Sequence, residues 1–154
     1  MRRREFITLT GATAIFVPFA AGAQQLERHP RVAVLFNLPA GDSEAQARLT
    51  AFVQGLQELG WTDRRNIRIE ARWATDHDHL QKSAKDLIAL VPDIIVANSN
   101  QVIAALREVS RSVTIVFTAS TDPVGNGFVE SLARPGGSAT GFISADERKM
   151  AGTA

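Results

Sequence analysis

Cysteine is absent from the 154 residues, which excludes disulfides, thiol catalysis and thiolate metal sites and leaves stability to packing. A surplus of either charge is also missing. The 17 basic and 16 acidic residues give a formal net charge of +1, and with no basic stripe for a polyanion, nucleic acid is not an expected partner. The sequence holds no low-complexity tract and no internal repeat. Enzymatic signatures are lacking too: no Gly-x-Gly-x-x-Gly after the first strand, no phosphate loop ending in Gly-Lys-Ser/Thr, and no Gly-x-Ser-x-Gly elbow. His29, His77 and His79 fall near the mature terminus or in one loop, where neither Ser99 nor Ser120 has a base beside it. Catalysis and a cofactor are therefore not expected.

What is present begins with an export pattern. Arg2-Arg3-Arg4-Glu5-Phe6-Ile7 has twin-arginine character, and the apolar segment Ile7 to Ala20 that follows is too short to span a bilayer comfortably, which takes about 20 residues. Ala21-Gly22-Ala23 supplies small residues for cleavage after Ala23. Residues 1–23 are read as a removed signal, with an uncleaved anchor as the alternative. Their loss takes three arginines and one glutamate and shifts the net charge from +1 to −1. Residues 24–154 suffice for one domain with a core and are short for two.

Arg31 to Phe36 is an apolar run closed by Asn37, Pro39 and Gly41, as a strand buried on both faces would be. Ser43-Glu-Ala-Gln46 fits a capping box opening a helix whose Ala45, Leu49, Phe52, Val53, Leu56 and Leu59 share a face, with Gly60 beyond its end. Ile67, Ile69, Ala71 and Trp73 alternate with charged residues, the pattern of a strand with one wet face near a sheet edge. Helical spacing returns from Leu80 to Val91, Pro92 ends it, and Asp93 to Ala97 reads as a buried strand. A third helix around Val102 to Leu106, a strand at Val113 to Thr118, a short helix from Pro123 to Leu132 and a strand at Ala139 to Ile143 complete the order. Such alternation predicts an α/β fold, a parallel sheet with helices on both faces and right-handed crossovers.

Parallel sheets bind ligands at their carboxyl edge, which the loops Asn37 to Asp42, Asn98 to Gln101 and Ser120 to Asp122 leave. Asn98-Ser99-Asn100-Gln101 opens a helix and would show a crevice both free amides and neutral side chains, which suits a carboxylate. Capping alone explains Ser99 or Asn98 but not four polar residues in a row. In Ser120-Thr121-Asp122-Pro123, Asp122 is either a plain helix cap or a partner for a ligand ammonium group. Asn37 is a weaker candidate, since asparagine is ordinary in a Pro-Gly turn. Asp76-His77-Asp78-His79 has metal-ligand chemistry but not convergent spacing, and is read as a solvated helix entry. The arginines at 64, 65, 68 and 72 are interleaved with Asp63 and Glu70 and read as a solvated strand face.

Ile115 to Phe117, Asp122-Pro-Val124, Gly127-Phe-Val129, Ser131-Leu132, Arg134-Pro-Gly-Gly137 and Thr140-Gly141 closely resemble the first lobe of ABC transporter substrate-binding proteins of the tryptophan/tyrosine-type group. Phe52 to Leu56 with Gly60, Asn66 to Ala74 and Pro92 to Val96 agree, so the resemblance runs over most of residues 1–143. It implies a type I periplasmic-binding-protein lobe, flavodoxin-like in architecture, that closes with a second lobe on a small organic solute such as an amino acid. The implied partner is an ABC permease in the inner membrane, the implied location the periplasm. The ligand-facing residues it implies are Asn37, Asn98, Ser99, Ser120, Thr121 and Asp122. Residues 24–143 form the lobe in this reading and 144–154 a truncated tail at the hinge to a missing second lobe. One wall alone should bind weakly, and an exposed cleft face favours self-association. A free-standing flavodoxin-like enzymatic or signalling domain and a non-functional gene remnant are the alternatives.

Overall fold

The structure is a computed structural model that describes residues 28–131 and 133–143. The signal, its cleavage point and the tail lie outside the described residues. Chain order is β1 (Arg31–Phe36), α1 (Ser43–Glu58), β2 (Arg68–Trp73), α2 (His77–Ala89), β3 (Ile94–Ala97), α3 (Asn100–Val109), β4 (Ile115–Ser120) and β5 (Ala139–Ile143). The strands form one parallel sheet ordered β2-β1-β3-β4-β5. The chain thus steps outward from β1 to β2, returns past β1 to β3, and continues outward through β5. The reversal falls between β1 and β3, where doubly wound sheets open a crevice at their carboxyl edge.

Side-chain alternation divides the core into two layers. Ala33, Leu35, Ile95, Ile115 and Phe117 face Leu80, Ala84 and Leu87 of α2 and Val102, Ile103 and Leu106 of α3. Val32, Val34, Phe36 and Val96 face the other way, onto Ala45, Leu49, Phe52 and Leu56 of α1. Helices therefore cover both faces, as the alternating pattern predicts. Coverage is unequal, because the α1 side of β4 and β5 carries exposed Thr118, Thr140 and Phe142, the last 74% accessible. β2 lies at an edge, which is why its charged residues alternate with half-buried ones.

Three local expectations are corrected. Asp42, not Ser43, caps α1: its Oδ1 accepts from Ala45 N at 2.9 Å. A carboxylate is the stronger acceptor at a helix start. Gln46 then sits one position too far along to close a capping box, and its amide donates to Ala40 O instead, at 2.7 Å. The fourth strand begins at Ile115 rather than Val113, because the Ser110 hydroxyl engages Ser112 N at 3.3 Å and holds that stretch in a turn. Pro123 to Leu132 is no helix where it is described. It runs as turns, with Gly127 at φ +69° and Phe128 N donating across five residues to Pro123 O at 2.8 Å. Two glycines, Gly125 and Gly127, each weaken a helix by about 1 kcal/mol, and Arg107 Nη1 fixes the alternative by donating to Phe128 O at 2.7 Å.

The ends of α1 and α2 use the same left-handed exit with different residues. Gly60 takes it after α1 at φ +87°, whereas after α2 the residue is Val91 at φ +52° and 63% exposed. A β-branched residue there is strained by about 1–2 kcal/mol. Val91→Gly is expected to raise the free energy of unfolding by about 1 kcal/mol, measured by urea denaturation; unchanged or lower stability would show that Val91 carries no strain.

Candidate functional site

Each candidate loop leaves the carboxyl end of a parallel strand, and side-chain amides tie them into one rim. Asn37 N donates to Asn98 Oδ1 at 2.9 Å, and Asn37 Nδ2 donates to Gln101 Oε1. These bonds span the reversal between β1 and β3. One loop further, Asn100 Oδ1 accepts from Ser120 Oγ at 2.7 Å and from Thr121 N at 3.1 Å, while its Nδ2 donates to Thr121 O at 2.7 Å. Asn37, Asn98, Ser120 and Thr121 are therefore neighbours along a continuous hydrogen-bonded edge.

The residues differ in how much chemistry they have left. Ser99 caps α3, accepting from Val102 N at 3.3 Å. Ser120 is fully buried, and its hydroxyl is committed to Asn100. Asp122 is exposed, but it caps a turn rather than a helix: its Oδ1 accepts from Gly125 N at 2.8 Å with the backbone at φ +46°. A β-carbon on Gly125 would fall 2.0 Å from Asp122 Oδ2, so only glycine leaves that carboxylate its place. Asn126 Nδ2 holds the same turn through Thr121 O and Asp122 O at 3.0 and 2.8 Å. What the rim offers a ligand is half-exposed asparagine amides, the exposed Thr121, and the second carboxylate oxygen of Asp122. Such a set recognises a small polar molecule by hydrogen bonds and accepts one positive charge.

Residues outside the chosen set belong to the edge as well. Asn100 and Gln101 are its joints, and a fourth loop, Ala74 to Asp76, leaves the carboxyl end of β2 beside β1, with Ala74 N donating to Phe36 O at 3.0 Å. The rule that picks the other three loops applies equally to β2. Asp76 caps α2 through His79 N at 2.9 Å and holds His79 Nδ1 at 2.6 Å. The hydrogen bond from the His79 backbone amide, followed by that from its ring, lowers the Asp76 carboxyl below the ordinary aspartate value of 3.8. Among the described residues no cluster of three histidine, aspartate or glutamate side chains is arranged to hold a metal. On the α1 side of the sheet, a groove of about 410 Å³ runs between α1 and β4, lined by Phe52, Val96, Asn98 and Thr118 with Arg48 at its wall.

The strand order is that of doubly wound α/β domains in general, and a family profile for "ABC transporter substrate binding protein" matches residues 31–153. The chain belongs to that family. A tyrosine-binding protein of Clostridioides difficile is 33% identical over 100 residues, 62% of this chain and 29% of the relative. A substrate binding protein with adhesive properties from Clostridium difficile, in its ligand-free, open structure, superposes with a TM-score of 0.67 at 28% identity, covering 77% of this chain and 41% of that one. A conserved domain protein from Vibrio cholerae gives 0.69 at 26% identity, covering 80% and 42%. The chain thus spans about two fifths of those solved structures and less than a third of the curated relative. The fold class and family expected from the sequence are both borne out.

Two outcomes test the rim. Asn100→Ala strands the buried Ser120 hydroxyl and is expected to lower stability by about 2 kcal/mol, measured by urea denaturation; a loss under about 0.5 kcal/mol would contradict its role as a joint. Because the folded carboxyl of Asp76 is depressed, its stabilising share is present above the unfolded value and disappears as pH falls through the folded one. Asp76→Asn should therefore flatten that portion of the acid stability profile, and a carboxyl midpoint at or above 3.8 by NMR titration would refute the assignment.

Proposed function

We propose that this chain supplies one wall of the solute cleft of an ABC importer, capturing a small organic solute such as an amino acid at the carboxyl edge of its sheet. The observation that carries the reading is the rim itself. Asn37 and Asn98 are joined by a hydrogen bond at the strand reversal, where such folds place their ligands, and the Asn100–Ser120 bond one loop further brings Ser120 and Thr121 alongside. Asn37, Asn98, Thr121 and the free oxygen of Asp122 contact the solute in this reading, while Ser99 and Ser120 shape the rim. The tyrosine-binding relative favours an aromatic amino acid.

Binding in this reading takes place in the periplasm, after export on the twin-arginine segment and cleavage behind Ala23, and the loaded protein presents its solute to an inner-membrane permease. The second wall comes from the portion of the relatives that this chain does not span. One open wall leaves most of a ligand's surface in water, so residues 24–143 alone bind weakly. The uncovered α1 side of β4 and β5, with Phe142 74% accessible, is the surface through which the isolated lobe self-associates.

Thermal unfolding with L-tyrosine or L-tryptophan tests this reading. The chain alone should shift by little, whereas its fusion to the second lobe of a relative should be stabilised by several degrees at saturating ligand. A large shift of the chain alone would contradict the two-wall argument, and no shift of a well-folded fusion with any amino acid would contradict solute capture.

A further inference from the structure

Asparagine stands at 37, 66, 98, 100 and 126, and only Asn126 is followed by glycine. Each of the others precedes a residue whose side chain crowds the next peptide nitrogen. Gly127 brings no such shield: it and Asn126 are exposed, and even a β-carbon on Gly127 would meet nothing within 4 Å. The side-chain carbonyl carbon of Asn126 therefore has, one residue on, an open main-chain nitrogen able to close an imide ring on it.

The same side chain is a latch. Asn126 Nδ2 donates to Thr121 O at 3.0 Å and to Asp122 O at 2.8 Å, and Thr121 O accepts as well from Asn100 Nδ2 at 2.7 Å. One carbonyl thus joins the turn over residues 121–127 to the joint that organises the rim. Gly127 N donates to Val124 O at 2.9 Å, and Phe128 N closes the turn on Pro123 O at 2.8 Å. In the closed turn the nitrogen that would attack and the nitrogen that would leave are both engaged, so reaction waits for a local opening. Asp122, held at φ +46°, is relieved of backbone strain when the turn opens.

We propose that Asn126-Gly127 is a self-modification site, at which deamidation unlatches this turn from the carboxyl rim. Gly127 N attacks Asn126 Cγ: the N–Cγ bond forms, the Cγ–Nδ2 bond breaks, and Nδ2 leaves as ammonia with the proton from Gly127 N. Water then adds to one carbonyl carbon of the cyclic imide and breaks its bond to Gly127 N, returning a proton to that nitrogen. Opening at Cγ leaves aspartate, and opening at the main-chain carbonyl leaves isoaspartate; nothing is oxidised or reduced. Aspartate has no donor for Thr121 O and Asp122 O, and it sets a second negative charge beside Asp122. Isoaspartate also adds a methylene to the main chain inside the loop that Phe128 N closes. Conversion and release stand on the geometry of the turn alone. Only their consequence, weaker solute capture through Thr121 and Asp122, rests on the reading of the rim as the solute site.

The full chain, kept folded for weeks at mildly alkaline pH with no ligand added, tests this by peptide mapping with mass spectrometry. Asn126 should convert to aspartate and isoaspartate, with ammonia released in step, while Asn37, Asn66, Asn98 and Asn100 stay intact. In urea the same residue should convert roughly tenfold faster, the worth of one to two net hydrogen bonds. Asn126→Asp supplies one product directly, in an exposed turn where it does not disturb the core. By NMR hydrogen exchange, its Gly127 and Phe128 amides, and the Thr121 amide that Asn100 Oδ1 holds, should exchange roughly fivefold faster than in the unaltered chain. If Asn126 in the folded chain survives those weeks unconverted, the site is refuted. If it converts as fast folded as in urea, its role as a latch is refuted. If Asn126→Asp leaves Thr121 exchange unchanged, release of the rim is refuted. No readout uses an amino acid, so failure of the solute reading alters none of these outcomes.

Discussion

A single side-chain amide, that of Asn100, fixes how the carboxyl edge is built. Parallel strands β3 and β4 deliver their loops to the same edge, but strand pairing ends at Ala97–Phe117 and does not set how the loops meet beyond it. Asn100 does so with three hydrogen bonds, one of them to the fully buried Ser120. Because Ser120 has no water to fall back on, the geometry is enforced by the penalty for leaving a buried hydroxyl unpaired. Asn37, Asn98 and Gln101 repeat the device across the reversal between β1 and β3. An edge preorganised in this way would lose little entropy on meeting the proposed solute.

Much of the fold was legible because burial writes itself into runs and periods. Val32 to Phe36 and Ile95 to Ala97 are continuous apolar stretches, buried on both faces as such runs imply. The segment after Pro123 misled for a physical reason: Val124, Phe128 and Val129 are spaced as on a helix, yet Gly125 and Gly127 and the grip of Arg107 on Phe128 O select turns. The candidate site was read from polar loops behind buried strands. The joints were not, since the Asn100–Ser120 pair lies twenty residues apart and meets only through sheet order. The β2 loop was passed over because its strand showed a wet face and its acid–histidine run was weighed as a metal site, although every parallel strand ends at the same edge.

The two faces of the sheet are also unlike. α2 and α3 bury one side beneath Leu80, Leu87, Ile103 and Leu106, while α1 alone covers the other and leaves Thr118, Thr140 and Phe142 exposed. Gly141, in the middle of β5, admits no side chain, because a β-carbon there would meet Phe117 O at 1.9 Å. The outer strand is thus held close to β4 at Phe117, beyond which the β4–β5 register shifts before Ser120 pairs with Ile143.

The most direct measurement is a double-mutant cycle on Asn100→Ala and Ser120→Ala by urea denaturation. If the amide truly locks the rim, the two residues should show a coupling of about 1 kcal/mol or more, the double variant losing less than the two single losses together. Strict additivity would mean that the loops hold their places without this bond, and the account of the edge as a preorganised binding rim would fail.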